Sequence, residues 1–322
     1  MVPRSARHPH ARRLVPLALA VTLLAPPAAA QPGALPPEVV AGVARLGRVI
    51  DPPETAKLFA PLQEKEPYAR VTVRRDLKYG HADRHLLDVF TPHAGLSGRP
   101  VLIYVHGGAF VGGNKRTGTS PFYDNVALWA ARNGFVGVTM TYRLAPEHPW
   151  PTGALDVASA VRWVIANIGA HGGDPGRVYL MGHSAGAVHV ADYVGREGAH
   201  GSAAGPPVRA AILVSGVFDL TTMPPSPPFK AYYGEDPAPY AYRSPLAGLL
   251  TTPVPLLVAW GDLDPPDFER QSGLLRDALC KEGRCPRTVT LVGHSHMSEV
   301  YAINTKDTQL TSKILELMRD GR

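Results

Sequence analysis

Ser184 stands in the string Gly182-His183-Ser184-Ala185-Gly186, with an apolar run at 178–181 before it and a helix-compatible Ala-Val-His-Val-Ala run after it. A serine between two glycines at a strand-to-helix turn is the setting of a nucleophile elbow, in which a sharp bend lifts Oγ above a sheet. The string alone says little in a chain with 32 glycines, where an ordinary Gly-rich turn is the rival reading; its flanks give it weight. Attack by such a serine on a carbonyl creates an oxyanion, which needs donors already aimed at it. His106-Gly107-Gly108-Ala109-Phe110, directly after the apolar run 101–105, offers them. The amides of Gly107 and Gly108 are the expected donors, joined by that of Ala185 just after the serine. His171-Gly172-Gly173 is similar in type, but it follows a helical stretch and runs into Asp174-Pro175, so it reads as a turn.

A base and an acid would have to follow the serine in the chain. Two histidines compete in Gly293-His294-Ser295-His296-Met297, and three carboxylates in Gly261-Asp262-Leu263-Asp264-Pro265-Pro266-Asp267. Asp267 opens a helix-compatible run and reads as an N-cap. Asp262 is suited to an Asx turn on its own backbone, and Asp219 is a more distant choice. His183 and His189 flank the elbow, while His148 reads as part of a structural turn. Tyr142 to His148 and Asp156 are expected to fix a turn and a helix start beneath the site without touching substrate.

The elements that must position these groups alternate along the chain. Strands are expected near 71–75, 86–90, 101–105, 135–140, 177–181, 210–214, 255–260 and 288–292. Helices are expected over 122–133, over 306–319 and over 153–168, where Ala154, Val157, Ala158, Val161, Val164, Ile165 and Ile168 recur at helical spacing. Strands alternating with helices imply a mainly parallel sheet covered on both faces, with chemistry at the carboxyl ends of its strands. Residues 31–70 read as helical and irregular. Residues 221–250 break the rhythm with many prolines plus Tyr232, Tyr233, Tyr240 and Tyr242. Because aromatic rings are costly to leave in water, that insertion reads as a lid or pocket wall.

Residues 1–30 read as a signal peptide: Arg4, Arg7, Arg12 and Arg13 lead an apolar run too short to span a bilayer, followed by Ala28-Ala29-Ala30. The Arg12-Arg13 pair alone does not identify a twin-arginine signal. Export implies a secreted or periplasmic protein without stable membrane insertion after cleavage. Removing the segment's four arginines lowers the formal charge from +6 to +2, leaving no basic stripe for nucleic acid. The full chain, 45% hydrophobic and 19% charged, supports one large domain over 71–322. Cys280 and Cys285 can form a local disulfide in an oxidising compartment, and two cysteines are too few for a structural zinc site.

The His-Gly-Gly loop, then Tyr142-Arg143-Leu144-Ala145-Pro146-Glu147-His148, then Gly173-Asp174-Pro175 ahead of the elbow, together resemble the hormone-sensitive-lipase-like carboxylesterases. Kynurenine formamidase-like hydrolases share this layout. The resemblance runs from about residue 70 to the C-terminus. It implies an α/β-hydrolase fold of about eight mainly parallel strands, with a small cap from the N-terminal and 221–250 segments. It also implies hydrolysis of a small-molecule ester, with no metal or organic cofactor. Those families place the acid before the proline pair and the base before an apolar residue, which favours Asp264 and His296. Phe110, His183, Tyr232 and Tyr233 are the expected substrate-contacting side chains. An arylformamidase with the same machinery, and a non-catalytic binding protein on the same scaffold, are the alternatives.

Overall fold

The computed structural model describes Met1 and residues 34–93, 97–202 and 205–320; apart from Met1, the expected signal peptide lies outside the described residues. In chain order the elements are α1 (Pro37–Leu46), α2 (Pro52–Phe59), β1 (Val71–Lys78), β2 (Leu86–Pro92), β3 (Arg99–Val105), α3 (Asp124–Arg132), β4 (Val136–Met140) and α4 (Thr152–Asn167). There follow β5 (Gly173–His183), α5 (Ala185–Gly195), α6 (Glu197–His200), β6 (Ala210–Val214), α7 (Pro227–Tyr233), α8 (Tyr240–Arg243) and α9 (Leu246–Leu249). The chain then forms β7 (Leu256–Gly261), α10 (Pro266–Lys281), β8 (Arg287–Leu291), α11 (Ser298–Tyr301) and α12 (Gln309–Asp320).

The strands make one eight-stranded sheet in the order β1-β2-β4-β3-β5-β6-β7-β8, in which β2 runs against the others. The runs at 136–140, 210–214 and 256–261, apolar but for Thr139, are buried at every position, as strands covered on both faces must be. The outer strands β1 and β8 alternate between buried and wetter positions.

Alternate residues of β3 point to opposite faces, and each face has its own apolar layer. Val101, Ile103 and Val105 pack with Val157 and Val161 of α4, Val190 of α5 and Leu275 of α10. Leu102 and Tyr104 pack with Val126 of α3, Ile314 of α12, and Val39, Val43 and Phe59 of α1 and α2. The N-terminal segment expected as an irregular cap is therefore partly core, because its two short helices are apolar on one side.

The 221–250 insertion forms the short helices α7 to α9. Arg196 pins it: Nε donates to Asp192 Oδ1 at 2.7 Å, Nη2 donates to the carbonyls of Tyr242 and Ser244, and the guanidinium lies 5.3 Å from the Trp150 ring. Cys280 and Cys285 are disulfide-bonded, closing the end of α10 onto the approach to β8. Among the described residues no helix is long and apolar enough to cross a membrane.

Candidate active site

Ser184 follows β5 directly and precedes α5, at φ 56° and ψ −124°, a sparsely populated backbone conformation for a residue with a side chain. Two flanking glycines make that bend feasible. A Cβ at Gly182 would run into the carbonyl of Gly186, and one at Gly186 into the carbonyl of Val105 at the end of β3. The Ser184 amide is held by the carbonyl of Val214 on β6 at 2.9 Å. Elbow, β3 and β6 thus lock together through backbone contacts that leave no room for larger residues.

The loop after β3 lies against this turn. A Cβ on Gly107 would sit 3.0 Å from Cβ of Ser184, and Gly108 takes φ +133°, open to glycine. No backbone acceptor meets the amides of Gly107, Gly108 and Ala185 among the described residues. Ala185 opens α5, so the partial positive charge of a helix N-terminus reaches the same point. Beneath the loop, His106 stacks on Tyr142 at 4.4 Å, and the Tyr142 hydroxyl donates to the His106 carbonyl at 2.8 Å. Asp156 accepts from the Arg143 amide and guanidinium, so the 142–148 stretch and the start of α4 brace the loop from behind, as expected.

Of the competing histidines, His296 meets a carboxylate from the other loop: its Nδ1 lies 2.7 Å from Asp264 Oδ1, and both residues are buried. Among the described residues its Nε2 has no hydrogen-bond partner, and the ring lines the same cavity as Ser184. His294 instead makes local contacts, with Ser298 Oγ at 3.1 Å and Asp307 Oδ2 at 3.4 Å. The three carboxylates separate as clearly. Asp262 Oδ1 accepts from the Gly293 amide at 2.8 Å, clamping the histidine loop rather than turning on its own backbone as expected. Asp267 is not the N-cap; Pro265 is, because Pro266 with its preset φ takes the first helical position, and Asp267 pairs with Arg270 on the exposed first turn. Asp219 caps a short turn by accepting from the Thr221 amide.

The cavity over Ser184 has a volume of about 520 Å³. Phe110, Phe122, Val188, Val217, Phe229 and Phe268 form much of its wall, and among the described residues no Lys, Arg, Asp or Glu lines it. The N-terminal segment contributes Ile50, Pro52 and Pro53, and the 221–250 insertion contributes Met223, Ser226, Pro228 and Phe229.

Phe110 and His183 do line this cavity, but the expected contacts from Tyr232 and Tyr233 are corrected: neither reaches it. Tyr232 stacks behind Phe110, ring centroids 4.6 Å apart and planes within 3°, and its hydroxyl accepts from the Gly153 amide. Tyr233 is fully buried beside Phe229. Exposure cost pulls an aromatic ring inward but does not distinguish a cavity wall from the layer behind it. His183 donates from Nε2 to the His296 carbonyl at 2.8 Å, so it steadies the histidine loop as well as lining the cavity.

Three residues near the site carried no earlier expectation. Ser215, just after β6, lies 2.5 Å from Asp264 Oδ2 and 2.7 Å from Glu299 Oε2. Glu299 Oε1 accepts from the Gly261 amide at 2.7 Å. Burial, reinforced by the Asp264 charge, pushes the Glu299 carboxyl well above the usual carboxylate range. From the N-terminal segment, Arg48 donates from Nε to the Asp264 carbonyl at 2.7 Å and pairs with Glu269. An acid set among Met297, Val300, Tyr301, Ala302 and Ile303 was the one sequence signal for Glu299; Arg48 and Ser215 had none.

A family model described as the α/β-hydrolase fold matches residues 102–264, half of the chain. Over 135 residues the chain is 36% identical to a probable carboxylic ester hydrolase, LipM of Mycobacterium tuberculosis, covering 41% of this chain and 30% of that protein. It is 28% identical over 263 residues to the esterase LipQ of the same organism, covering 76% of this chain and 61% of that one. The chain therefore spans less than two thirds of either relative. Among solved structures, a hyperthermophilic esterase from Pyrobaculum calidifontis superposes with a TM-score of 0.64 at 22% identity, over 89% of this chain and 98% of that one. The matched region carries the His-Gly-Gly loop, the elbow and Asp264, and with the sheet order above it shows that this chain belongs to the α/β-hydrolase fold family.

Proposed function

We propose that this protein is a serine carboxylesterase that hydrolyses a small, uncharged acyl or aryl ester through an acyl-enzyme. The observation that carries the reading is the buried His296–Asp264 pair at 2.7 Å, opening onto the cavity that Ser184 lines. In this mechanism Nε2 of His296 takes the Ser184 proton as Oγ attacks the ester carbonyl. Asp264 holds the imidazole in the tautomer with its proton on Nδ1 and stabilises the imidazolium that forms. The tetrahedral oxyanion is received by the amides of Gly107, Gly108 and Ala185. The protonated histidine then donates to the leaving alcohol, and water activated by the same ring releases the acid. A cavity wall without a charged Lys, Arg, Asp or Glu suits neutral substrates, since a buried ion would go unpaired there. The names of LipM and LipQ, an ester hydrolase and an esterase, point the same way.

Export to an oxidising compartment belongs to the same reading. It is supported by the basic, apolar and Ala-Ala-Ala order of residues 1–30 and by the Cys280–Cys285 disulfide. The activity test is turnover of p-nitrophenyl acetate and butyrate beside N-formylkynurenine, together with labelling by a fluorophosphonate. The expected result is ester turnover and labelling in the wild type and loss of both in Ser184→Ala. Unchanged hydrolysis in Ser184→Ala would overturn the serine mechanism, and a preference for N-formylkynurenine would replace the esterase with the formamidase.

A further inference from the structure

Glu299 is a second carboxyl set beside the acid of the proposed machinery, and the hydrogen count around it is restrictive. Ser215 has a single hydroxyl proton, yet its Oγ lies 2.5 Å from Asp264 Oδ2 and 2.7 Å from Glu299 Oε2. If both acids were ionised, one of these two contacts would oppose a lone pair to a carboxylate oxygen with no proton between them. Both contacts can be hydrogen bonds only if one carboxyl brings its own proton. Asp264 is the acid better suited to remain charged. Its Oδ1 faces His296 Nδ1, and the Arg48 guanidinium lies on its own carbonyl. Among the described residues the donors that meet Glu299 are neutral, and the Asp264 carboxylate lies close enough to favour a proton on Glu299. The Gly261 amide occupies Oε1, and the nearest histidine, His183, stands 3.9 Å away with its Nε2 proton spent on the His296 carbonyl.

We propose that Glu299 is a positioning residue, a neutral carboxylic acid that donates to Ser215 Oγ so that the Ser215 hydroxyl donates to Asp264 and fixes the carboxylate against His296. The chain of contacts runs Glu299 to Ser215 to Asp264 to His296, tying together the ends of β6, β7 and β8 where the proposed acid and base sit. Burial drives Glu299 in the same direction, since removal from water penalises its charged form. Glu299 follows His296 by three residues in the turn of α11, so movement of the base and of the carboxyl are mechanically linked. The titratable and charged groups facing this carboxyl are Asp264, His183, His296 and, from β3, Tyr104, with Arg48 on the far side of Asp264.

The inference rests on the esterase reading, and the test separates the two. Glu299→Gln, Glu299→Ala and Ser215→Ala are compared with wild type and Ser184→Ala, using p-nitrophenyl butyrate and active sites counted by fluorophosphonate. A glutamine can donate to Ser215 and accept from Gly261, so Glu299→Gln should keep kcat within about three-fold and leave the acid limb of the kcat/KM profile in place. Glu299→Ala and Ser215→Ala should lower kcat per counted site by about ten-fold or more, with KM little changed, as loss of a hydrogen bond to a charged group implies. Wild-type kcat in Glu299→Ala would overturn the proposal. So would a ten-fold loss in Glu299→Gln, or an acid limb shifted down by about a unit, since either would mean that Glu299 acts as an anion. If Glu299→Ala fails to fold, Glu299→Gln decides alone by the same two readouts. Failure of the serine mechanism would appear separately, as activity surviving Ser184→Ala.

Discussion

Replacing Asp264 with Asn tests the choice of acid. The substitution is nearly isosteric, but the amide cannot sit either way round without consequence. Ser215 Oγ lies 2.5 Å from the Oδ2 position and, as the donor there, selects the amide oxygen. The amide nitrogen is then turned toward His296 Nδ1, 2.7 Å from the present Oδ1. Facing a donor, Nδ1 must accept, so the ring proton moves to Nε2, the nitrogen that would have to receive the Ser184 proton. Asp264 and His296 are each no more than 1% exposed, so water offers the ring no alternative partner. The expected loss in kcat is about 10⁴-fold, equivalent to ~5 kcal/mol of barrier, as for the same exchange in a Ser-His-Asp protease. Asp262→Asn is the matched control, because an asparagine oxygen still accepts from the Gly293 amide. It should stay within about three-fold of wild type. Steady-state kinetics on p-nitrophenyl butyrate, with circular dichroism to verify folding, measures both. Asp264→Asn retaining a tenth of the wild-type kcat, or Asp262→Asn falling as far, would refute the assignment.

Stability should fall on acidification. Burial holds His106 and His189 at about 3 against an ordinary 6.5, so the unfolded chain takes up protons that the native state refuses. Their contribution is complete above pH 6.5 and is lost as pH falls toward 3; at pH 5 the loss is about 2 kcal/mol for each. Asp192, raised by burial to about 6, has the opposite sign and returns about 1 kcal/mol over pH 7 to 5. Glu299, raised well above the carboxylate range, adds to that return, while His183, held well below the imidazole range by burial, adds to the loss. Urea unfolding at the two pH values should therefore show a net decrease, and a rising profile would contradict the buried-neutral assignment. Ile50 lines the cavity while half-exposed, so Ile50→Ala should leave stability nearly unchanged. It should lower kcat/KM for p-nitrophenyl octanoate about five-fold, from ~1 kcal/mol of lost apolar contact, with little effect on the acetate. Equal losses on both esters would argue against a wall formed by the N-terminal segment.

The parts of the site that could be read from the chain are those whose chemistry is local. Gly182, Ser184 and Gly186 signal themselves because a bend with close backbone contacts admits few residue types, and Gly107 and Gly108 do so for the same reason. The strands at 136–140, 210–214 and 256–261 are legible because burial on both faces demands runs that are almost wholly apolar, broken here by Thr139 alone. Asp264 and His296 were separable from Asp262 and His294 only through family resemblance, since all four lie in similar loops. What stayed hidden was long-range. Arg48 reaches Asp264 across more than two hundred residues, and Ser215 meets Glu299 across eighty-four. No pattern within one segment encodes such pairings. Tyr232 and Tyr233 were misassigned for a related reason: composition marks a ring as buried without saying which neighbour lies over it.

The reach of Arg48 bears on how this protein is best shortened for crystallisation or engineering. A boundary drawn at β1, where the resemblance to related hydrolases begins, would keep the sheet and every residue of the proposed triad. It would also discard the cation seated on the Asp264 carbonyl, one wall of the cavity and the apolar side chains of Val39, Val43 and Phe59. Such a fragment would retain the reactive groups while losing part of what holds them in register. Minimal versions of this protein should start before residue 35.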